Sequence, residues 1–212
     1  MRILVIGANG QIGQQVVKRL ASAGHEVRAM IRDPEHAARM EELGGHPVIA
    51  DLEKDFSHAV QGVGAIYFTA GSGAHTGPDK TLSVDRDGAI RSIEEAEQRG
   101  VERYIMLSSL RSQRPEEGPE KIRHYLEAKK AADERLMKTD LNYTIVRPGR
   151  LSNEEGTGQV ALARNLPFYP DPIPRADVAQ VLAMVLEQPA TYRTGFDLLP
   201  GETPIPEAVR SL

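Results

Sequence analysis

The sequence has no cysteine and no tryptophan, and only 6 tyrosines and 4 phenylalanines among its 212 residues. Without cysteine there is no disulfide, no thiol nucleophile and no cysteine-ligated metal site. No apolar run approaches the roughly 20 residues that a membrane-spanning helix requires. The apolar stretch at the N-terminus runs straight into glycine and is too short for a signal-peptide core. The 6 histidines are scattered without the close spacing of a ligand set, so no metal is expected. Excess basic charge is lacking too: 26 Lys and Arg stand against 30 Asp and Glu, a net charge of −4. With no basic stripe interleaved with aromatics, nucleic acid is not an expected partner, and neither is a membrane. These absences read as one cytoplasmic domain of ordinary size, long enough to bury a full core.

What is present begins with Arg2-Ile3-Leu4-Val5-Ile6, the branched apolar run of a buried parallel strand. It meets Gly7-Ala8-Asn9-Gly10-Gln11-Ile12-Gly13, with glycines three apart, and then the amphipathic helical pattern Gln14-Gln15-Val16-Val17-Lys18-Arg19-Leu20. Strand, glycine turn and helix in this order start a dinucleotide-binding fold. Glycine lets the backbone approach a pyrophosphate without a clashing Cβ, and the helix N-terminus offers unpaired N–H groups and a positive dipole end. Strand patterns lie at 2–6, 26–31, 47–50, 65–69, 102–108 and 142–147, with a late one at 195–199; helical patterns lie near 11–23, 34–43, 79–99 and 120–139. This alternation predicts right-handed βαβ units and a doubly wound α/β domain, a parallel sheet of six to seven strands flanked by helices. The domain spans 1–212, with residues from about 150 onward forming a small C-terminal extension on the substrate side. Asp33-Pro34 reads as a helix start, Gly24 and Gly100 as helix ends, and Arg175-Ala176-Asp177 as a further helix start with Asp177 favoured by the dipole. Residues 71–78, 110–119 and 150–159 read as loops, all after strand C-termini, the edge at which open α/β sheets bind ligands.

Two sets of residues carry chemistry. With the second strand ending near Ile31, Arg32 stands at its tip. There an Arg accommodates the 2′-phosphate of NADP through its planar fork, whereas an acidic residue favours the free ribose of NAD. The alternative register gives that place to Asp33 and makes NAD the second choice. Beyond the fifth strand stand Ser108-Ser109, then Tyr125, and Lys129 four residues further on. At i and i+4 a phenol and an ammonium share one helix face. The spacing alone is common; its place in a sheet whose first turn suits a dinucleotide gives it weight. Phe168 and Tyr169 suit a core or an apolar pocket.

In order and kind these residues resemble the short-chain dehydrogenase/reductase superfamily, in particular its atypical NAD(P)-binding branch, with NAD-dependent epimerases and dehydratases as relatives. The resemblance rests on Gly7-Ala-Asn-Gly-Gln-Ile-Gly13, Arg32-Asp33-Pro34, Asp51-Leu52, Thr69-Ala70-Gly71, Ser108-Ser109, Tyr125-x-x-x-Lys129, Tyr143-Thr-Ile-Val-Arg-Pro-Gly149 and Pro174-Arg175-Ala176-Asp177-Val178-Ala179. It implies a Rossmann-type sheet. Gly7, Asn9, Gly10 and Gly13, with the amides around Gln11 and Ile12, would hold the pyrophosphate. Asp51 would accept from the adenine amino group with Leu52 along the base; Thr69, Ala70 and Gly71 would line the ribose and phosphate; Pro148 and Gly149 would flank the nicotinamide.

The resemblance further implies hydride transfer between nicotinamide and a small carbonyl or alcohol substrate. Tyr125 would give or take the proton, and Lys129 would lower the phenol pKa and bond the nicotinamide ribose. Ser109 would hold the substrate oxygen, with Ser108 in reserve. Leu110-Arg111 departs from the small residue or Tyr-Gly pair that often follows this serine. An NADP-dependent reductase acting on a small molecule is the expectation. An epimerase or dehydratase with retained cofactor is the alternative, although the short C-terminal region leaves little room for a sugar-nucleotide lobe. A non-catalytic NADP(H) sensor is the second alternative, and such relatives commonly lack the Tyr–Lys pair. Substrate identity, hydride stereochemistry and oligomeric state are not written in these motifs.

Overall fold

The computed structural model describes residues 1–73, 77–167 and 171–212. In chain order the strands are β1 (Arg2–Ile6), β2 (Glu26–Ile31), β3 (His46–Ile49), β4 (Ala65–Phe68), β5 (Arg103–Leu107), β6 (Asn142–Pro148), β7 (Leu151–Ser152), β8 (Gln159–Ala163), β9 (Ile173–Pro174), β10 (Thr194–Pro200) and β11 (Thr203–Pro204). The helices are α1 (Gln11–Ser22), α2 (Ala37–Glu42), α3 (Ser57–Val60), α4 (Pro78–Lys80), α5 (Ala89–Gln98), α6 (Arg123–Met137), α7 (Arg175–Met184) and α8 (Ile205–Arg210).

Nine strands form one sheet in the order β11-β8-β10-β6-β5-β4-β1-β2-β3. The seven from β10 to β3 are parallel. Strand order reverses between β1 and β4, and the C-terminal ends of these two strands make the crevice that binds ligands in doubly wound sheets. Burial on both faces explains the apolar runs. On β1, Ile3 and Val5 pack against α1 and α7 residues such as Val16, Leu20 and Val181. Leu4 and Ile6 point the other way, into a cluster with Phe68, Ile93 of α5 and Leu136 of α6. Each such side chain contributes about 1.5–3 kcal/mol by leaving water. No helix among the described residues is long and apolar enough to cross a membrane.

The structure departs from the sequence expectations in three places. The sheet has two more strands than expected: β8 runs antiparallel to β10, and β11 antiparallel to β8. β10 pairs with β6 on one side only, so its other edge carries unmet N–H and C=O groups until the chain folds back to cover it. β7 also lies inside the stretch read as a loop at 150–159, in a small parallel pair with β9. Finally, the helix expected over 79–99 is interrupted. Between α4 and α5, residues Thr81–Gly88 are wound as a π-helix, whose i→i+5 bonding widens the turn and re-aims the side chains on it.

One buried cation braces the end of the sheet away from the crevice. Arg103 opens β5 and donates to the carbonyls of Asn142, Val185 and Leu186 and to the hydroxyls of Thr144 and Thr191. Its guanidinium lies 4.4 Å from the Tyr192 ring centroid. Burial pulls its pKa down to about 10, which leaves it charged at neutral pH.

Candidate active site

The crevice at the β1–β4 switch is a cleft of about 590 Å³. Of the residues singled out in the sequence, Gly7, Asn9, Gly10, Arg32, Asp51, Leu52, Thr69, Ala70 and Gly71 line it, together with Asp33. Gln11, Ile12, Gly13, Ser109, Tyr125, Lys129, Pro148 and Gly149 are not part of its lining. The glycines are set by close approach. Gly7 has φ +79°, and a Cβ on it would stand 2.5 Å from the Ala70 nitrogen. A Cβ on Gly13 would stand 2.3 Å from the Gly7 carbonyl oxygen. Thr69 holds the facing strand end in place, its hydroxyl donating to the Ile6 carbonyl at 2.9 Å. No side chain caps the start of α1, and its first turn carries no acidic residue. Those N–H groups are therefore left free for an anion at the helix start, next to Asn9 and Gly10 of the crevice lining.

At the far end of the cleft, β2 stops at Ile31 and puts Arg32 at the tip. The guanidinium is exposed and makes no hydrogen bond or ion pair among the described residues. Asp33 is otherwise engaged: its carboxylate accepts the Glu35 N–H at 2.9 Å and caps the turn Pro34–His36. Lys80 also lines the cleft but is bound to Glu53 at 2.6 Å. Arg32 is thus a cation beside the cleft that, among the described residues, acts on Glu53 through space but makes no hydrogen bond or ion pair. Asp51 serves a turn as well as the cleft, since it accepts the Glu53 N–H at 3.0 Å. The donors and the shape suit a dinucleotide: free amides for a pyrophosphate, a carboxylate for an adenine, a cation for a ribose phosphate.

α6 carries Tyr125 and Lys129 on one face. Lys129 is buried, with Nζ 3.3 Å from the Leu107 carbonyl, 3.5 Å from the Ala70 carbonyl and 3.2 Å from Asp85 Oδ1. Its three protons therefore all have protein partners. Nζ also lies 5.7 Å from the centre of the Tyr125 ring. Asp85 escaped the sequence reading. It sits in the π-helical turn, fully buried, with Oδ2 accepting the Ser72 N–H at 3.0 Å. Nothing in the pattern of 79–99 separates an inward Asp85 from a solvated one; only the widened turn brings it against α6.

The charges set the protonation states. Burial opposes the Lys129 charge, but Tyr125 and Asp85 outweigh it and raise its pKa. Burial pushes the Tyr125 phenol up; Lys129 and a Ser109 hydrogen bond pull it down, Asp85 and Asp133 push it further up, and the net shift is upward. Tyr125 is therefore a phenol with its proton on. Of the two serines, Ser109 is the one beside Tyr125. Ser108 is buried and turned away, donating to Asp133 Oδ2 at 2.9 Å.

Next to Ser109, Leu110 opens a second, smaller recess of about 260 Å³ between the 110–117 segment and residues 165–167, with Asp197 also in its lining. Arg111, Gln113, Arg114, Glu117 and Asn165 make most of its wall polar. Leu110 donates its N–H to the Pro148 carbonyl at 2.9 Å, and Gly149 donates to the Leu198 carbonyl at 3.0 Å, so the recess adjoins the end of β6. Phe168, Tyr169 and part of 71–78 lie outside the described residues. Among the described residues no group of three or more His, Asp or Glu is arranged to hold a metal. The expected helix start at Arg175 is present, and Asp177 also ties down a neighbouring loop, its carboxylate accepting the N–H groups of Thr157 and Gly158 at 2.9 and 3.0 Å.

A glycine turn with free helix amides at the switch point of a parallel sheet agrees with what sequence comparison finds. The model of the NAD(P)H-binding family matches residues 7–189. The chain belongs to this family. A relative in the family's range, YhfK of Bacillus subtilis strain 168, is named an uncharacterised sugar epimerase. It is 44% identical over 218 residues that cover both chains completely. Among solved structures, a candidate NAD-dependent epimerase/dehydratase from Bacillus halodurans superposes with a TM-score of 0.98 at 46% identity, covering 100% of both chains. The oxidoreductase ylbE from Lactococcus lactis superposes with a TM-score of 0.89 at 29% identity, covering 100% of this chain and 96% of that one. The family is thus one of NAD(P)-binding proteins whose members carry epimerase and oxidoreductase names, and the protein is an NAD(P)-dependent enzyme of that kind.

Proposed function

We propose that the protein is a cytoplasmic NADP-dependent oxidoreductase of the atypical short-chain type that reduces a small, polar carbonyl compound. The observation that carries this reading is the convergence of Ser109, a protonated Tyr125 and a charged Lys129 beside a cleft lined by Arg32. Bound in the cleft, the nicotinamide supplies the hydride. A substrate carbonyl oxygen between Ser109 and Tyr125 would receive a hydrogen bond from each, and the Tyr125 proton would pass to it as charge develops. The Lys129 ammonium then lowers the cost of the phenolate left behind. Asp85 holds that ammonium in place while offsetting part of its pull, which keeps the proton on the phenol until substrate is present. A nicotinamide ribose hydroxyl would replace the longest of the Lys129 contacts, the 3.5 Å one to Ala70. The polar recess beside Leu110 would take the rest of the substrate.

That polar wall and the name of the 44% identical relative favour one second reading, epimerisation of a hydroxyl-rich substrate with the cofactor retained. Net NADPH consumption separates the two. The cofactor test is thermal melting with NADPH, with NADH and without either, on the native protein and Arg32→Ala. NADPH at 100 times its dissociation constant stabilises by about 2.7 kcal/mol, and Arg32→Ala should remove most of the preference for NADPH over NADH. Equal shifts with both cofactors would move the assignment to NAD. With a substrate in hand, Tyr125→Phe should lose turnover and keep the melting shift; unchanged turnover would end the catalytic assignment.

A further inference from the structure

α6 presents a third polar side chain on the face that carries Tyr125 and Lys129: Asp133, at the next four-residue step. It is buried, and three donors converge on its Oδ2: Ser108 Oγ at 2.9 Å, Ser112 Oγ at 2.9 Å and Arg147 Nε at 3.1 Å. Its Oδ1 is buried without a hydrogen-bond partner among the described residues. The two serines bracket the turn that presents Ser109. Within that turn the Ser112 N–H donates to the Ser109 carbonyl at 3.0 Å, and Arg111 takes φ +68°, an unusual value for a residue with a side chain. The turn is further held to β6 by the Ser108 N–H on the Val146 carbonyl and the Leu110 N–H on the Pro148 carbonyl.

A buried ion pair between Asp133 and Arg147 would account for helix-to-sheet packing without the serines. The two hydroxyls add something different. They tie both ends of the Ser109 turn to one oxygen on the helix that carries Tyr125, so loop and helix share a single fixed point. We infer that Ser108 and Ser112, anchored on Asp133, are positioning residues that set Ser109 in register with Tyr125. The inference rests on the proposed pairing of Ser109 and Tyr125 as the groups that hold the substrate oxygen. Two serines that sequence reading would treat as spares or loop polarity thereby gain a role through a third.

Asp133→Ala would strand the buried Arg147 and can unfold the domain, so the test uses the serines, which leave the ion pair whole. The full chain is labelled with 13Cζ-tyrosine, and the Tyr125 resonance, identified by its loss in Tyr125→Phe, is followed at pH 7. The charged groups acting on this phenol are Lys129, Asp85 and Asp133; none is replaced in the serine variants, and Arg147, which lowers the Asp133 pKa more than either serine does, stays beside it. Ser109→Ala should displace the resonance by removing the hydroxyl that lowers the phenol pKa. Ser108→Ala/Ser112→Ala should displace it in the same direction, and the triple variant no further than Ser109→Ala alone. Ser112→Thr, which keeps the hydroxyl, should restore the native position when Ser108 is intact. A resonance unmoved by the double serine variant, unmoved by Ser109→Ala, or moved additively in the triple variant would overturn the inference. No turnover is needed, so a failure here is distinct from a failure of the proposed reaction, which Tyr125→Phe kinetics reports.

Discussion

Asp85→Asn is the perturbation that most directly interrogates the electrostatics of this site. The carboxylate is fully buried, 3.2 Å from a buried ammonium. At that distance and an effective dielectric constant of about 20 the pair interacts by about 5 kcal/mol. Removing one partner of a buried pair costs about 3–5 kcal/mol, because the other charge stays desolvated. Asn keeps the shape and can still accept the Ser72 N–H, so the loss isolates the charge. For a chain of this size each kcal/mol moves the melting temperature by about 2–4 °C, which gives a fall of roughly 6–20 °C at pH 7.

The pH dependence makes the test specific. In the native protein the Lys129 pKa is raised above its ordinary 10.5. Its contribution is therefore complete below 10.5 and is lost as pH climbs from there through the raised value. In Asp85→Asn, with Tyr125 uncharged below its own raised pKa, burial is opposed only by the weaker pull of Asp133, and the Lys129 pKa falls below 10.5. The unfolded chain then binds more protons between the depressed value and 10.5, and the variant's stability rises with pH across that window. The difference between the two proteins should be largest near neutrality and narrow as pH approaches and passes 10.5. Denaturant melts at several pH values between 7 and 10.5 measure it. A difference below about 1 kcal/mol, or one that does not vary with pH, would refute the assignment of Asp85 as the counter-charge of Lys129.

Two further changes probe the frame around the site. Gly7→Ala puts a Cβ 2.5 Å from the Ala70 nitrogen at φ +79°; it should cost at least about 1–2 kcal/mol and abolish the melting shift with NADPH. Asp177→Ala frees the Thr157 and Gly158 amides that the carboxylate now holds. Cleavage by a Glu-specific protease at Glu154 and Glu155 should accelerate, while the global melt loses only about 1–3 kcal/mol.

Much of this arrangement is legible in the chain because it is local. The runs at 2–6 and 26–31 are strands to the residue, and the Gly7–Gly13 turn with α1 forms where apolar periodicity changes from strand to helix. Arg32 at the strand tip and Tyr125 with Lys129 on one helical face follow from the same near-neighbour geometry. Asp177 near a helix N-terminus could be read from the dipole, but its hold on Thr157 could not. β8 was hidden for a related reason: it is called up by the open edge of β10, not by a strong pattern of its own.

The charged partners are the other half. Ser108 and Ser109 are chemically alike and adjacent; which one meets Tyr125 depends on where β5 ends and on Asp133 reaching from a helix 25 residues away. Asp85 meets Lys129 across 44 positions only because a π-helical turn re-aims it, and no propensity marks that turn. Strands, turns and helix faces arise from forces between residues a few positions apart, so composition and period suffice to read them. The pKa of Tyr125, the counter-charge of Lys129 and the register of Ser109 arise from buried charges whose energies depend on distance and desolvation, and the chain acquires those only when the sheet and its helices have closed around them.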